Sequence, residues 1–321
     1  MHWLKLEKLD EIKAHRLFVE FRDLPDLKVD LQETVGRLAA DRDLYRKADQ
    51  APGSLPVAAA GFLQRLEVLN LSPPRPVVLQ ILRAVPDQIS KEVAERSFHI
   101  LDSYLWRRAL TRRTTQNYNR VMRKVLMAVE EDLPNADEQI LKVLGESEGP
   151  AVVWPSDEQL SEHPNTRAIY GSGRVAISTI RTAIRLVENQ LRAPKGETPL
   201  SAETELQVEH MMPQSWQANW PLDQEPEETL AEREHQRNSQ IDLLGNLTLV
   251  TPGMNQSLSN SEWSVKRDEL KKHSTLLVSQ RYLDQEVWDE ESIRERGSDL
   301  VKEIIGIWPG ADGTFSAPAP H

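Results

Sequence analysis

The chain has 321 residues, a formal net charge of −11, no cysteine and 39% hydrophobic residues. That length and apolar content support one large or two medium domains with real cores, and the lack of cysteine excludes a disulfide framework and any cysteine-based zinc site. The acidic balance excludes a protein that coats nucleic acid with its whole surface, because phosphate neutralisation dominates such binding. No apolar run approaches the roughly 20 residues that span a bilayer, and Met1-His2-Trp3-Leu4-Lys5 lacks the apolar core of a signal peptide. The expected home is a reducing cytoplasm, with no membrane partner.

From the N-terminus, Leu4, Leu9 and Ile12, then Leu27, Leu31, Val35 and Leu38, fall near helical spacing. They predict two amphipathic helices broken at Pro25. Pro52-Gly53-Ser54 marks a turn, and Val57 to Leu71 reads as a helix ending before Pro73-Pro74. The run from Pro76 to Leu82 is apolar on all sides and predicts a buried helix. Two further helices are expected from Ser90 to Leu110 and from Thr115 to Val129; in the second, Tyr118, Val121, Met122, Val125 and Val129 share one face.

Between Tyr104 and Lys124 stand Arg107, Arg108, Arg112, Arg113, Arg120, Arg123 and Lys124 with no acid among them. In an acidic chain this is the candidate phosphate-facing patch, with Arg107, Arg112, Arg113, Arg120 and Arg123 as substrate-binding candidates. Arginines on helices also pair with acids of neighbouring helices, and the sequence does not choose between the two roles. Tyr104 and Trp106 read as core.

Ser156 or Asp157 can cap a segment opened by Trp154-Pro155. After Gly171-Ser172-Gly173, the residues Ile177, Ile180, Ile184, Val187 and Leu191 step by three and four, a strong helix signal, with Arg174, Arg181, Arg185 and Arg192 in an adjacent stripe. Ala193-Pro194-Lys195-Gly196 reads as a linker. Leu206 and Val208 alternate with polar residues and lead to Glu209-His210 before Pro213, the pattern of a short strand that delivers a carboxylate and an imidazole to its end. The acids Asp223, Glu225, Glu227, Glu228, Glu232 and Glu234, with Pro221 and Pro226, suit an exposed excursion. A second strand follows: Asn246, Thr248 and Val250 on one face, Leu247 and Leu249 on the other. Thr251-Pro252 then reads as cap and first residue of a helix that carries Asn255.

Ser261 can cap a helix through Trp263, Lys266 and Leu270, and Asp289-Glu290-Glu291 loads the first turn of a last helix that ends near Gly306. The composition from Pro309 onward predicts a disordered tail.

Glu209-His210-x-x-Pro213-Gln214, Gly245-Asn246-Leu247-Thr248-Leu249, Asn255 and Leu258-Ser259-Asn260 together resemble the HNH (ββα-metal) nuclease superfamily. Within it they resemble the C-terminal nuclease domain of GmrSD-type modification-dependent restriction endonucleases. HNH domains of CRISPR effectors have a similar Asp-His-x-x-Pro-Gln-Ser stretch, and there too the two asparagines stand nine apart. The gap from His210 to Asn246 is longer than in compact members.

The resemblance implies a one-metal nuclease: His210 as general base, Glu209 and Asn255 as ligands of Mg²⁺ or Mn²⁺, and Asn246 orienting the His210 loop. Lys266 matches a lysine of the family pattern and can reach a phosphate or stay solvated. The residue types suit that chemistry independently, since an imidazole accepts protons near neutral pH and a hard cation takes carboxylate, amide and phosphate oxygens.

The resemblance further implies DNA as substrate, with restriction of phage or modified DNA as the setting; RNA cleavage would use the same site. The family usually carries an NTP-hydrolysing domain, and no Gly-rich phosphate loop stands in this sequence. An NTPase domain or subunit of the same defence system is therefore an expected partner.

The expected architecture is mainly α: a helical region over 1–192, a small ββα-metal core embedded in helices over 193–308, and a disordered tail over 309–321. The competing reading is a non-catalytic helical module that binds nucleic acid or a partner and keeps a degenerate HNH core.

Overall fold

The computed structural model describes residues 1–10, 12–50, 57–220, 222, 227–258 and 260–315. The expectations for Pro52-Gly53-Ser54, for Pro221, Asp223, Glu225 and Pro226, for Ser259 and for 316–321 lie outside those residues. The fold is mainly helical, as the apolar periodicities require, with a single two-stranded sheet among the described residues. The chain divides into two compact units, one built from 1–108, 113–154 and the residues from Pro309, the other from 109–112 and 155–308.

The first unit begins with α1 (His2–Lys8), α2 (Leu17–Arg22), α3 (Pro25–Val29) and α4 (Leu31–Gln50), four helices where two are expected. Pro25 opens α3, because its fixed φ and missing N–H suit a first turn. Then come α5 (Val57–Val68), α6 (Arg75–Ala84), α7 (Lys91–Leu110), α8 (Tyr118–Glu131) and α9 (Ala136–Gly145). In α6 every residue from Pro76 to Leu82 is buried, and α8 buries its expected face. Residues 309–315, expected as part of a disordered tail, are folded into this unit instead. Phe315 is buried against Trp154 and His99, and the Pro309 carbonyl accepts from Ser103 Oγ at 2.5 Å.

The second unit begins with α10 (Asp157–Thr166), whose N-cap Ser156 forms a capping box with Gln159, and α11 (Ile177–Arg192). Strand β1 (Gln207–His210), α12 (Glu227–Gln240), strand β2 (Leu247–Val250) and α13 (Pro252–Leu258) follow. The unit closes with α14 (Trp263–His273), α15 (Leu277–Gln280) and α16 (Glu290–Ile307). Helix α16 packs against α10, α11 and the turn before β2. The expected boundary at 192/193 is thus displaced to 154/155, because the apolar stripe Ile180, Ile184 and Val187 is buried within this unit.

The excursion after β1 is not bare loop. It contains α12, whose Arg237 pairs with Glu290 at 2.6 Å, donates to the Trp220 carbonyl at 2.7 Å and lies over the Trp216 ring. The N-cap of α14 is Glu262 rather than Ser261, while Asp289 caps α16 as its acids predict. The strands pair antiparallel, Gln207 with Val250, Glu209 with Thr248 and His210 with Leu247, and α13 follows at once to complete a ββα arrangement.

Candidate functional site

Everything at this site hangs on the turn that leads into β2. Asn246 is fully buried, and its amide makes four hydrogen bonds. Nδ2 donates to the carbonyls of Met212 and Ile241, both at 2.8 Å, and Oδ1 accepts from Met212 N at 2.8 Å and Trp288 Nε1 at 3.1 Å. Its carbonyl also accepts from Met211 N at 2.8 Å. The backbone just after His210 is therefore locked from both sides, which a buried amide with complete partners can do and an apolar side chain cannot.

The turn itself is pressed against α16. A Cβ on Gly245 would meet the Ile293 carbonyl oxygen at 1.8 Å, so only glycine permits this approach. Buried Arg296 donates to the Gly245 and Leu247 carbonyls at 2.7 and 2.8 Å and satisfies the turn.

Successive strand residues point to opposite faces, which separates Glu209 from His210. His210 is 6% exposed. Its Nε2 lies 3.0 Å from Asp242 Oδ1, which also accepts from Gln214 Nε2 at 3.0 Å, and the Tyr170 ring stands edge-on at 4.7 Å. Burial would raise the Asp242 carboxyl, but the bonds from His210 and Gln214, aided by nearby Arg174, hold it below the usual carboxylate range. An ionised carboxylate only accepts, so Nε2 donates, and in the neutral imidazole Nδ1 then keeps the lone pair.

Glu209 shares its face with Gln207. Its Oε1 receives a 2.8 Å bond from Lys266 Nζ, which also donates to the His210 carbonyl at 2.7 Å. Lys266 is 1% exposed; burial lowers its ammonium, against the pull of Glu209. It is neither solvated nor open to a phosphate, as the sequence allowed, but an internal clamp. Asn255, carried by α13 behind the Thr251-Pro252 start, donates from Nδ2 to Gln207 Oε1 at 2.7 Å, and among the described residues its Oδ1 has no hydrogen-bond donor. Carboxylate and amide oxygens are the right donors for a hard cation. Among the described residues no group of three His, Cys, Asp or Glu converges as a metal cage, so a cation here would take most of its shell from water and phosphate.

The arginine cluster does not stay together. Arg107 is fully buried and cannot face a phosphate. Arg108 is equally buried and donates to the carbonyls of Val153, Thr114 and Ala151. Arg113 is half-buried, and Arg123 donates to the Leu9 carbonyl and pairs with Asp10. Arg120 and Lys124 are exposed but line a cleft with Glu146 and Glu148. The run is acid-free along the chain and not in space. Arg112 belongs to the second unit, where it donates to the Gly173 carbonyl at 2.7 Å.

Asp242, Tyr170, Gln214 and Gln207 carry no assigned role in the sequence reading. Gln214 stands in the motif, and its partner, Asp242, is 28 residues away; Tyr170 gave no signal.

No curated protein matches the chain. Residues 154–303 match the family model described as GmrSD restriction endonucleases, C-terminal domain. The matched segment takes in all of β1, the Asn246 turn, β2 and α13, and this part of the chain is similar to the C-terminal domain of GmrSD restriction endonucleases.

Proposed function

We propose that this chain is a metal-dependent HNH-type endonuclease that cuts or nicks DNA in restriction of phage or modified DNA. The observation that supports it most is the His210–Asp242 pair at 3.0 Å, set on a strand end whose following backbone Asn246 immobilises. With Nε2 bound to the carboxylate, Nδ1 is the nitrogen that takes a proton from water. The water oxygen bonds to phosphorus, the bond to the leaving sugar oxygen breaks, and solvent returns a proton to that oxygen. Asp242 orients the imidazole and stabilises the imidazolium that forms.

Glu209 and Oδ1 of Asn255 would hold Mg²⁺ or Mn²⁺, which when bound would offset negative charge gathering on the phosphate. Until then Lys266 neutralises Glu209. An NTPase domain or subunit of the same system is the partner we propose, on the resemblance alone.

The test is incubation of the full chain with plasmid and phage DNA, with a single-stranded RNA beside them, in Mg²⁺, Mn²⁺ or EDTA. Cleavage that needs the metal and falls about 10²- to 10⁴-fold in His210→Ala is the expected result. A His210→Ala protein that cuts at the wild-type rate, in a preparation free of other nucleases, overturns the mechanism. Binding without cutting in every metal would instead support a non-catalytic nucleic-acid-binding module.

A further inference from the structure

The loop 169–175 is built to stand at the edge of the candidate site. Its two ends are buried, Ile169 and Val175, and are joined by a bond from Val175 N to the Ile169 carbonyl at 2.9 Å. Ile169 N and Tyr170 N both donate to the Asp242 carbonyl, at 2.9 and 3.3 Å. The loop is therefore tied to the residue that holds His210, and it lays Tyr170 against the imidazole. Between the ends, Gly171 and Gly173 take φ of +110° and +69°, values glycine adopts without strain, and Gly171, Ser172, Gly173 and Arg174 are all exposed.

Arg174 differs from its neighbours in the arginine stripe. Arg181 points to the Leu206 carbonyl at 3.5 Å, and Arg185 donates to Ala202 and Thr204 at 2.7 and 2.6 Å. Arg192 pairs with Glu188 and Glu197. Those three fasten α11 to the lead into β1. Arg174 has no ion pair within 4 Å among the described residues and lies near enough to Asp242 for its charge to act on that carboxylate. Arg112, anchored on the Gly173 carbonyl, adds a second cation beside it.

We propose that Arg174 binds a backbone phosphate of the nucleic-acid strand that lies at His210. The proposal rests on the nuclease reading for what His210 does, and on the loop geometry alone for where the strand runs. A guanidinium with no hydrogen bond or ion pair among the described residues, carried on a short loop beside the base, meets a phosphate without first breaking an internal bond. In an acidic protein, binding to a polyanion has to come from such local cationic contacts.

The experiment measures binding of the full chain to a fluorescein-labelled duplex DNA in EDTA, across a salt series, by anisotropy. Arg174→Gln is compared with Arg174→Lys and with Arg181→Gln, which removes the same charge from the same stripe. One lost phosphate contact lowers the slope of log affinity against log salt by about 0.9. Arg174→Gln is expected to show that drop with about tenfold weaker binding at low salt, Arg174→Lys to keep the slope, and Arg181→Gln to keep it as well. Arg174→Gln with the slope and affinity of Arg181→Gln overturns the proposal. The same proteins are then assayed for cutting in Mg²⁺: a wild type that never cuts sinks the nuclease reading, while the salt slopes still decide Arg174.

Discussion

Lys266 Nζ bridges Glu209 Oε1 and the His210 carbonyl, at 2.8 and 2.7 Å, from a position almost wholly out of solvent. One ammonium thus neutralises the carboxylate proposed to hold the cation and fixes the strand end that bears the proposed base. Removing one partner of a buried pair strands the other, at a cost of about 3–5 kcal/mol. Lys266→Met should lose stability on that scale in urea titrations, and adding Glu209→Gln should restore much of it. If Glu209 is also a cation ligand, Mg²⁺ should raise the melting temperature of Lys266→Met more than that of the wild type. Equal shifts would argue against a cation at Glu209.

Asn246→Ala should be the most damaging single change in the second unit. It leaves Met212 N, the Met212 and Ile241 carbonyls and Trp288 Nε1 without their present partner. Each unsatisfied buried group costs about 1–3 kcal/mol, so the loss should exceed about 3 kcal/mol. A denaturation midpoint within error of the wild type would mean that the amide is not what holds the His210 loop.

Gly245→Ala tests the same turn from outside. The obstructing atoms are backbone, the Ile293 carbonyl at 1.8 Å and Gly297 N at 2.8 Å, and they cannot swing aside as a side chain would. Overpacking of this kind costs about 1–3 kcal/mol or more. The melting temperature should fall, and cutting should fall with it as the turn moves. A variant that melts and cuts like the wild type would refute the close packing.

The Asp242–His210 pair makes an acid-range prediction. The folded-state carboxyl is held below its unfolded value of about 3.9, chiefly by bonds that overcome its burial. Its contribution to stability is therefore present above the unfolded value and lost as pH falls through the lower folded one. The difference in melting temperature between wild type and Asp242→Asn should be full near neutral pH and close in strong acid. A difference independent of pH would assign the effect to packing.

The elements of the site are legible in the sequence wherever a short local pattern carries them. Alternation marks β1, a Thr-Pro start marks α13, and the Glu-His and Gly-Asn pairs fall at the ends of strands. Asp242 is not legible in the same way, because its link to His210 exists only once β1 and the turn before β2 come together across 32 residues. Arg107 shows the opposite failure. A charge run says nothing about which side of a helix each residue takes, and a guanidinium can be buried when backbone carbonyls satisfy it, as Arg108 demonstrates. Lys266 stands out by position, and its role depends on the depth at which α14 sets it. The folded segment 309–315 escapes a compositional reading because Phe315, packed on Trp154 and His99, and the Pro309 carbonyl, bonded to Ser103, seat it through partners distant in sequence.

The packing of Gly245 on Ile293 and Gly297 has a consequence in time as well as space. During synthesis the chain emerges from its N-terminal end, so the strand bearing His210 is exposed well before α16 exists. Trp288, which closes the fourth bond of Asn246, emerges just before that helix, and Arg296, which satisfies the turn, emerges with it. A nascent chain would hold the Glu-His pair without the frame that aims it. Assembly of the site should coincide with the docking of α16, and a ribosome stalled before residue 290 would display an inert intermediate.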